Sequence, residues 1–522
     1  MKQQSSSFHY PIISQGDYSA FWALFTDNFT NLLVISGVCK FVFNMPNEIV
    51  FGKILPGAAL VLALGVFFYS WLAHRLANKE QRTDVTALPF GISTPVMFVY
   101  LFGVIGPIYW STGDALNAWQ VGLGAGFIGG IVAAIGALIG PFLQRVTPRA
   151  GMLGTLCGIA LVFIGTIALA IVFESPIIGF ISLTFVFWGL VGRIKLPFNV
   201  PAGLAALVVA TVVALIMGKS TISMEGVGFN LPLPYLGDMI TGIQYLFQNS
   251  ELFLVLIPVQ IYNFIETMNN VESASAKGDD YPVQTAMAFD GGSTCLAALF
   301  GSPFPTTVYI GHPGYKRINA RAGYTIMVGV VLLLSAVFGL LAFLSNLVPL
   351  AATAPILVYI AISLISESAK ACPPRHGMAI GLAMIPHVSE LLMVKWGSMK
   401  NALGDFGAEN LPESLTNPEF VSAMSQQGAH VLGHDALAGG SIITGMIWGA
   451  FAALIIDRKF VNAGYFLLVA AILASVGVLH SHSLHIPQLN SITIGYLLMA
   501  SFMFIYPKVG TVESLETDES DV

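Results

Sequence analysis

Charged side chains are scarce in this chain. Only 10% of its 522 residues are Asp, Glu, Lys or Arg, whereas soluble domains carry about 25%. Apolar residues make up 55%, and the mean hydropathy is +0.78. The apolar runs Ile54–Leu72, Val121–Leu143 and Tyr324–Leu344 each approach the ~20 residues that cross a bilayer as a helix. The composition excludes a soluble globular protein and predicts a polytopic, all-α membrane protein.

Signatures of catalysis and of cofactor binding are also missing. The four cysteines, Cys39, Cys157, Cys295 and Cys372, lack the spacing of metal ligands, so packing is their favoured role. The sequence contains no HExxH, no GxSxG and no nucleotide-binding loop. The N-terminal stretch has no removable signal pattern. We therefore expect no cofactor, no metal and no enzyme activity.

Apolar blocks separated by breaks predict sixteen membrane spans. They are residues 20–43, 49–73, 86–109, 119–143, 150–173, 176–192, 199–217, 252–276, 283–300, 305–319, 323–346, 349–370, 375–397, 435–456, 460–480 and 490–506. With the N-terminus in the cytoplasm, 17 Lys and Arg residues fall on the inner side and five on the outer side. This alternation follows the positive-inside rule. Both termini are therefore predicted to be cytoplasmic, in an inner or plasma membrane.

Short segments of the first half recur in order in the second half. DNFTNL at Asp27–Leu32 resembles YNFIET at Tyr262–Thr267, PFGISTPV at Pro89–Val96 resembles PFPTTV at Pro303–Val308, and Pro148–Ala150 resembles Pro349–Ala351. Each pair lies seven spans apart, and an odd offset inverts the second copy in the membrane. The sequence therefore predicts an inverted repeat of 7+7 transmembrane spans, plus about two extra C-terminal helices.

This repeat predicts a division of the chain. The parts are a cytoplasmic N-terminal segment 1–19, a first repeat 20–217, an extracytoplasmic loop 218–250, a second repeat 251–456 with an external insert 397–433, two additional helices within 457–506, and an acidic cytoplasmic tail 507–522.

The stretch Leu252–Ala276 begins apolar and becomes polar without breaking. Its second half contains Asn263, Glu266, Thr267, Asn269 and Asn270. A charged group at the bilayer centre costs at least ~2.5 kcal/mol, and such groups face cavities or pathways. We therefore interpret Glu266 as the centre of a transport site and as a proton carrier. Pairing with a neighbouring helix for packing is the alternative.

Spans three and ten begin with proline, glycine and hydroxyl residues. Proline lacks an amide donor and keeps the preceding residue out of the helical region. We expect an extended segment followed by a half-helix in each span, with the two half-helix N-termini facing each other. Ordinary proline kinks are the alternative. Asp290 is assigned packing support and function with equal weight, and His312, just after span ten, is a second candidate for proton coupling.

Four stretches resemble the nucleobase–ascorbate transporter family, closest to its xanthine/uracil and adenine/guanine permease branches. They are TALPFGISTPVMF, PVQIYNFIETMNNVESASAKG, FDGGSTCLAALFGSPFPTTVYIGHPGYKRINARAGY and VPLAATAPILVYIAISLI. The resemblance extends over residues 18 to 456. It implies a uracil-permease-like fold, in which a core domain of spans 1–4 and 8–11 carries the substrate against a gate domain of spans 5–7 and 12–14.

The resemblance also implies substrate contacts. Glu266 matches the acid that hydrogen-bonds the base ring in that family, and the other matching positions are Phe90, Gly91, Thr307, Tyr309 and Gly311. Ile92 and Asn263 lie in the same stretches. Asn31, the counterpart of Glu266 in the internal repeat, completes the candidate set. The family commonly has a second acid or polar residue where this chain has Gly311 and then His312. That departure puts uracil-like recognition in doubt.

We therefore expect a secondary active transporter, a permease for xanthine, hypoxanthine, guanine or uracil, coupled to protons through elevator-like movement of core against gate. The alternative is a carrier of inorganic or carboxylate anions with the same fold. The expected partners are a small-molecule substrate, H⁺ or Na⁺, the lipid bilayer and, as an open alternative, a second copy of the chain. No nucleic-acid partner is expected.

Overall fold

The protein is almost entirely helical. A computed structural model describes residues 10–197, 200–249, 252–405, 417–481 and 485–509. The first nine residues of the N-terminal segment, residues 406–416 of the external insert and residues 510–522 of the tail lie outside the described residues.

The helices of the first repeat are α1 Gln15–Gly37, α2 Asn47–Ile49, α3 Leu55–Glu80, α4 Thr94–Val99, α5 Gly106–Thr112, α6 Ala115–Val146, α7 Arg149–Ile159, α8 Ile167–Glu174, α9 Pro176–Val186 and α10 Ala202–Ile216. The π-helical segments Val38–Val42, Val50–Ile54, Tyr100–Ile105, Ala160–Thr166 and Phe187–Val191 extend or join them. Strand β1, Phe90–Ile92, precedes α4.

The remaining helices are α11 Leu236–Gln248, α12 Phe253–Ser275, α13 Val283–Leu299, α14 His312–Arg317, α15 Gly323–Val337, α16 Leu340–Leu347, α17 Leu350–Lys370, α18 Gly377–Asp405, α19 Pro418–Gln426, α20 Val431–Ala438, α21 Ser441–Ile456, α22 Phe460–Ser475 and α23 Ser491–Val509. Strand β2, Thr306–Val308, precedes α14.

Every predicted span overlaps a helix of the structure. Within the described residues, six helical stretches are long and apolar enough to cross a membrane, namely Asn47–Glu80, Thr94–Thr112, Ala115–Leu138, Arg149–Glu174, Leu350–Lys370 and Pro374–Lys400. Two predicted spans are bent pairs instead of straight helices. α15 and α16 meet at 83°, and α20 and α21 meet at 88°.

Both bends occur at glycines in the left-handed region. Gly339 has a φ of 71° and Gly440 a φ of 69°, a conformation that glycine adopts without the steric cost of a side chain. Span ten has the predicted order of an extended segment followed by a short helix. It contains β2 and then a six-residue helix, because Gly311 with a φ of 146° separates the strand from α14.

The described chain divides into two compact units. The first contains residues 1–141, 168–249 and 259–359, and the second contains residues 142–167, 250–258 and 360–522. α9 and α10, expected in a gate domain, belong to the first unit. They pack there against the start of α17, where the Ser182 hydroxyl donates a 2.6 Å hydrogen bond to the Ala352 carbonyl and Ile178, Ala210 and Ala351 share one apolar cluster.

The second unit is built on close helix contacts through glycine. A Cβ added at Gly445 of α21 would lie 2.5 Å from the Ala383 carbonyl of α18, so only glycine allows this approach, as at other small-residue contacts between membrane helices. α22 and α23 pack against α21 through Leu467 and Tyr496. The Tyr496 hydroxyl accepts a 2.9 Å bond from the Trp448 indole.

Candidate functional site

Two short strands pair inside the first unit. β1 and β2 are antiparallel, with Gly91 opposite Thr307. The Ser93 amide donates to the Pro305 carbonyl at 3.0 Å, and the Tyr309 amide donates to the Pro89 carbonyl at 2.8 Å. All six strand residues are buried. The prolines keep both segments extended, and the predicted extended geometry in spans three and ten is therefore present.

The outer edge of β2 is covered by side chains instead of a third strand. Asn263 and Asn270 of α12 donate to the carbonyls of Thr306 at 3.2 Å and Val308 at 2.7 Å. The Val308 amide donates to Asp290 at 3.0 Å, and the Thr306 amide donates to the Thr294 hydroxyl at 3.1 Å. Each of these backbone groups needs a partner because water is absent from the hydrocarbon region.

The outer edge of β1 is covered in the same way by α1. Asn28 donates to the Phe90 carbonyl and Asn31 to the Ile92 carbonyl, both at 3.2 Å. Asn28 and Asn263 occupy equivalent positions in the matched segments DNFTNL and YNFIET, and each binds the first carbonyl of its own strand. The internal repeat is thus present at the level of single hydrogen bonds.

Glu266 lies one turn beyond Asn263 on α12 and is half-buried. Its Oε2 accepts a 2.7 Å hydrogen bond from the Ser93 hydroxyl. Ser93 is the N-cap of α4, the first part of the helical stretch Thr94–Thr112. The Glu266 carboxyl group therefore lies at the positive end of a helix dipole, which stabilises negative charge.

Tyr309 fills the space beside Gly91. A Cβ added at Gly91 would lie 2.2 Å from Tyr309 Cζ, so this position requires glycine as long as the ring is there. The Tyr309 hydroxyl donates to the Ile92 carbonyl at 2.8 Å and accepts from Asn31 at 2.9 Å. Thr307 instead points to α12, where its hydroxyl lies 2.9 Å from that of Thr267.

Asp290 of α13 joins three other elements. Its carboxylate accepts 2.6 Å bonds from Tyr69 of α3 and Thr267 of α12, in addition to the Val308 amide of β2. All three donors bind carboxyl oxygens of Asp290, and such bonds favour the ionised form of a carboxyl group. This is the geometry expected of a residue that supports the strands, although a role in transport stays a prediction.

The structure does not bring His312 to Glu266. His312 is fully buried at the start of α14, where its Nε2 lies 3.0 Å from Asp279 Oδ2 and 3.1 Å from the Thr86 carbonyl. Both partners are acceptors, so Nε2 carries the hydrogen. Lys316 and Arg82 also contact the Asp279 carboxylate. His312 therefore belongs to a separate ion-pair group, called here the Asp279 cluster.

The Asp279 cluster holds a negative charge that is nearly inaccessible to water. Asp279 lies in the loop after α12, and its side chain is fully buried. Burial alone would raise the pKa of this carboxyl group, but the hydrogen bonds from His312 and Lys316 and the Thr86 amide outweigh burial and lower it below its usual value. The cluster ties the loop after α12 to α14 and to the chain before β1.

Sequence reasoning found the strands and Glu266 but missed their partners. Ser93, Asn28 and Thr294 were not chosen as site residues. Ser93 precedes Thr-Pro in the quoted segment PFGISTPV, which is a helix N-cap pattern and could have identified it. Asn28 could have been found from its match to Asn263. No local pattern marks Thr294, because its partner is a backbone amide in another element.

Comparisons with known proteins show the fold. No protein-family model and no curated protein matches the sequence. Among solved structures, the chain is similar to the transmembrane domain of the cyanobacterium bicarbonate transporter BicA, with a TM-score of 0.50 and 15% identity over 74% of this chain and 97% of that chain. It is also similar to SLC26A9, with a TM-score of 0.48 and 14% identity over 72% of this chain and 62% of that chain.

The similarity to BicA confirms the predicted fold class but does not show the nucleobase–ascorbate family. At 15% identity it shows the fold alone. The chain is thus a multi-pass, all-α membrane protein with the same inverted-repeat fold as the BicA transmembrane domain.

Proposed function

We propose that this protein is a secondary transporter of a small inorganic or carboxylate anion, and that a cation enters the site together with the anion. The observation that carries the proposal is the 2.7 Å bond from Ser93 to Glu266 at the N-terminal end of α4. The resident carboxylate occupies a position that would suit the oxygen of a substrate anion. Helix N-termini bind such groups through free N–H donors and the helix dipole.

Charge explains why a cation is required. Two negative charges 4 Å apart repel each other by about 4 kcal/mol at an effective dielectric constant of 20. An anion can therefore share this end of α4 with Glu266 only if the carboxylate is protonated or paired with a cation such as Na⁺. Glu266 is half-buried and so retains access for the proton or ion. This gives Glu266 the coupling role predicted from the sequence.

The similarity to a bicarbonate transporter favours an anion over a nucleobase as the substrate. The site itself agrees with that choice. Nucleobase recognition in the resembling family commonly uses a second acid or polar group near Gly311. This chain has glycine there, and the next residue, His312, is already bonded to Asp279 and the Thr86 carbonyl. The Tyr309 hydroxyl, which is nearby in the chain, is already bonded to Asn31 and the Ile92 carbonyl.

A nucleobase-like heterocycle is the second candidate. The observation in its favour is Asn263, whose buried Oδ1 has no hydrogen-bond partner among the described residues. That oxygen lies one turn from Glu266 on α12, so the two groups could accept hydrogen bonds from two ring N–H groups. A nucleobase would need no accompanying cation to balance its charge.

Ligand-dependent thermal stability separates the two candidates. The purified full chain is heated with bicarbonate, chloride, sulfate or acetate, and in parallel with xanthine, guanine or uracil. We expect at least one anion to raise the melting temperature of wild type more strongly at acidic than at neutral pH. Glu266→Gln should bind the same anion with little pH dependence, because its side chain is always neutral.

The control is Glu174→Gln, which changes an exposed carboxylate at the end of α8 in the same unit. It should behave like wild type. Stabilisation by a nucleobase and by none of the anions would establish the second candidate and overturn the first.

A further inference from the structure

Three helices of the second unit meet around a buried histidine. His387 of α18 is fully buried, and a Cβ added at Gly158 would lie 2.3 Å from its ring carbon Cδ2. Its Nε2 lies 2.7 Å from the Thr155 hydroxyl of α7, and its Nδ1 lies 3.3 Å from Glu390 Oε2, one turn along α18. Glu390 Oε2 also accepts a 2.6 Å bond from the Ser441 hydroxyl of α21.

The direction of one bond determines the others. The Thr155 hydroxyl lies 3.0 Å from the Ile442 carbonyl of α21, which can only accept, so Thr155 must donate there. Its oxygen then accepts from His387, and Nε2 carries a hydrogen. A neutral imidazole has a single N–H, so Nδ1 would be a bare acceptor facing a carboxylate that is also an acceptor. The complete set of bonds therefore needs one additional proton.

We propose that Thr155, His387, Glu390 and Ser441 form a proton-binding site in the second unit, separate from Glu266. The proton belongs on Nδ1, because Glu390 Oε2 already accepts from Ser441. The imidazolium and the carboxylate then cancel in charge. The proton is taken up from water and released to water. Of the two residues of the pair, Glu390 is the one that reaches the surface of the unit, with 25% of its side chain exposed. No covalent bond other than the N–H bond at Nδ1 forms or breaks in the protein.

Proton occupancy is linked to helix contacts. Without the proton, His387 holds its single hydrogen on Nδ1 to satisfy Glu390, and Nε2 becomes an acceptor. Thr155 then donates to His387, and its bond to Ile442 is lost because a hydroxyl has one hydrogen. Proton release thus removes a hydrogen bond between α7 and α21 and leaves the Glu390 charge uncompensated inside a membrane-spanning helix.

The elements packed around the pair carry other titratable groups. The Nδ1 atom of His434 on α20 lies 3.0 Å from the hydroxyl of Ser389, the residue before Glu390. The others are Arg149 and Cys157 on α7, Asp435 on α20, Arg375 and His376 before α18, and Lys395, Lys400 and Asp405 on α18 itself. α21 and the segment Ala160–Thr166 carry no such group. None of these groups is bonded to a ring nitrogen of His387 in the described residues. The one charged group bonded there is Glu390.

The test is ¹⁵N NMR of histidine side chains in the full chain, reconstituted in lipid nanodiscs and titrated from about pH 5 to about pH 8, where histidines commonly titrate. The His387 signals are assigned by their loss in His387→Gln. We expect both ring nitrogens to be protonated at the acidic end in wild type. In Glu390→Gln the amide can donate to Nδ1, so the ring should be neutral with Nε2–H throughout.

Glu419→Gln, an exposed carboxylate of α19, is the matched control and should give the wild-type signals. Thr155→Val serves if Glu390→Gln does not fold, and it should shift the Nε2 signal while Thr155→Ser leaves it in place. A wild-type ring that stays neutral over the whole titration would overturn the proposal. So would a Glu390→Gln ring that titrates as wild type does.

Discussion

At the scale of single residues, most polar groups near the strands serve the backbone. Asn28, Asn31, Asn263 and Asn270 all donate to strand carbonyls. Glu266 differs because it accepts a hydrogen bond from the Ser93 side chain. A ligand or ion can therefore compensate the charge of Glu266 without dismantling a strand edge.

The Asp279 cluster gives a prediction on stability and pH. Asp279→Asn should destabilise the protein by about 3 kcal/mol near neutral pH, as expected for one partner of a buried ion pair. The native pKa of Asp279 lies below its unfolded value of about 3.9. The carboxylate therefore stabilises the fold fully above about pH 4, and this contribution disappears as the pH falls through the native pKa.

Thermal unfolding of wild type and Asp279→Asn, followed by tryptophan fluorescence from about pH 3 to about pH 7, measures this difference. The control is Asp84→Asn, a half-exposed carboxylate paired with the same Arg82, which should cost at most about 1 kcal/mol. If the difference in melting temperature between wild type and Asp279→Asn stays constant down to the lowest pH measured, Asp279 does not carry the negative charge assigned to it.

At the scale of elements, composition predicted the helices and proline predicted the two extended segments. The bends at Gly339 and Gly440 were missed because hydropathy is an average over a window and does not detect a single left-handed glycine. The Ser93–Glu266 bond joins residues 173 positions apart, and no local pattern in one sequence reveals such a pair.

Gly91→Ala tests whether the packing of β1 against Tyr309 is required. The added Cβ would lie 2.2 Å from Tyr309 Cζ, so the ring must move and give up its bonds to Asn31 and Ile92. We expect a loss of about 1–3 kcal/mol in stability, as for other overpacked sites, and impaired ligand binding. Both are measured by melting temperature with and without ligand.

Gly292→Ala on α13 is the control, because it also replaces a glycine of the first unit by alanine but adds a Cβ that meets nothing within 4 Å. The double variant with Tyr309→Ala should regain only part of the lost stability, because it removes the clash with the ring while Asn28 Oδ1 stays 2.4 Å from the added Cβ. Equal melting temperatures for Gly91→Ala and wild type would show that Tyr309 does not hold this position.

At the scale of the whole molecule, the fold class predicted from the internal repeat is confirmed by the similarity to BicA. The substrate could not be predicted in the same way. The repeat and the broken spans are properties of the backbone, whereas the choice between a base and an anion depends on a few side chains. The resemblance to nucleobase transporters rests on stretches such as FIETMNN and SPFPTTVY, which mainly build the strands and their edges.

Uptake of labelled anion into proteoliposomes tests the central claim most directly. The anion is the one that stabilises wild type most strongly, and the external solution is either acidic or rich in Na⁺ relative to the interior. We predict that wild type accumulates the anion only while one of these two cation gradients is present. Glu266→Gln should equilibrate the anion without accumulating it, because it has no titratable group at the end of α4. Accumulation by Glu266→Gln equal to that of wild type would contradict the account.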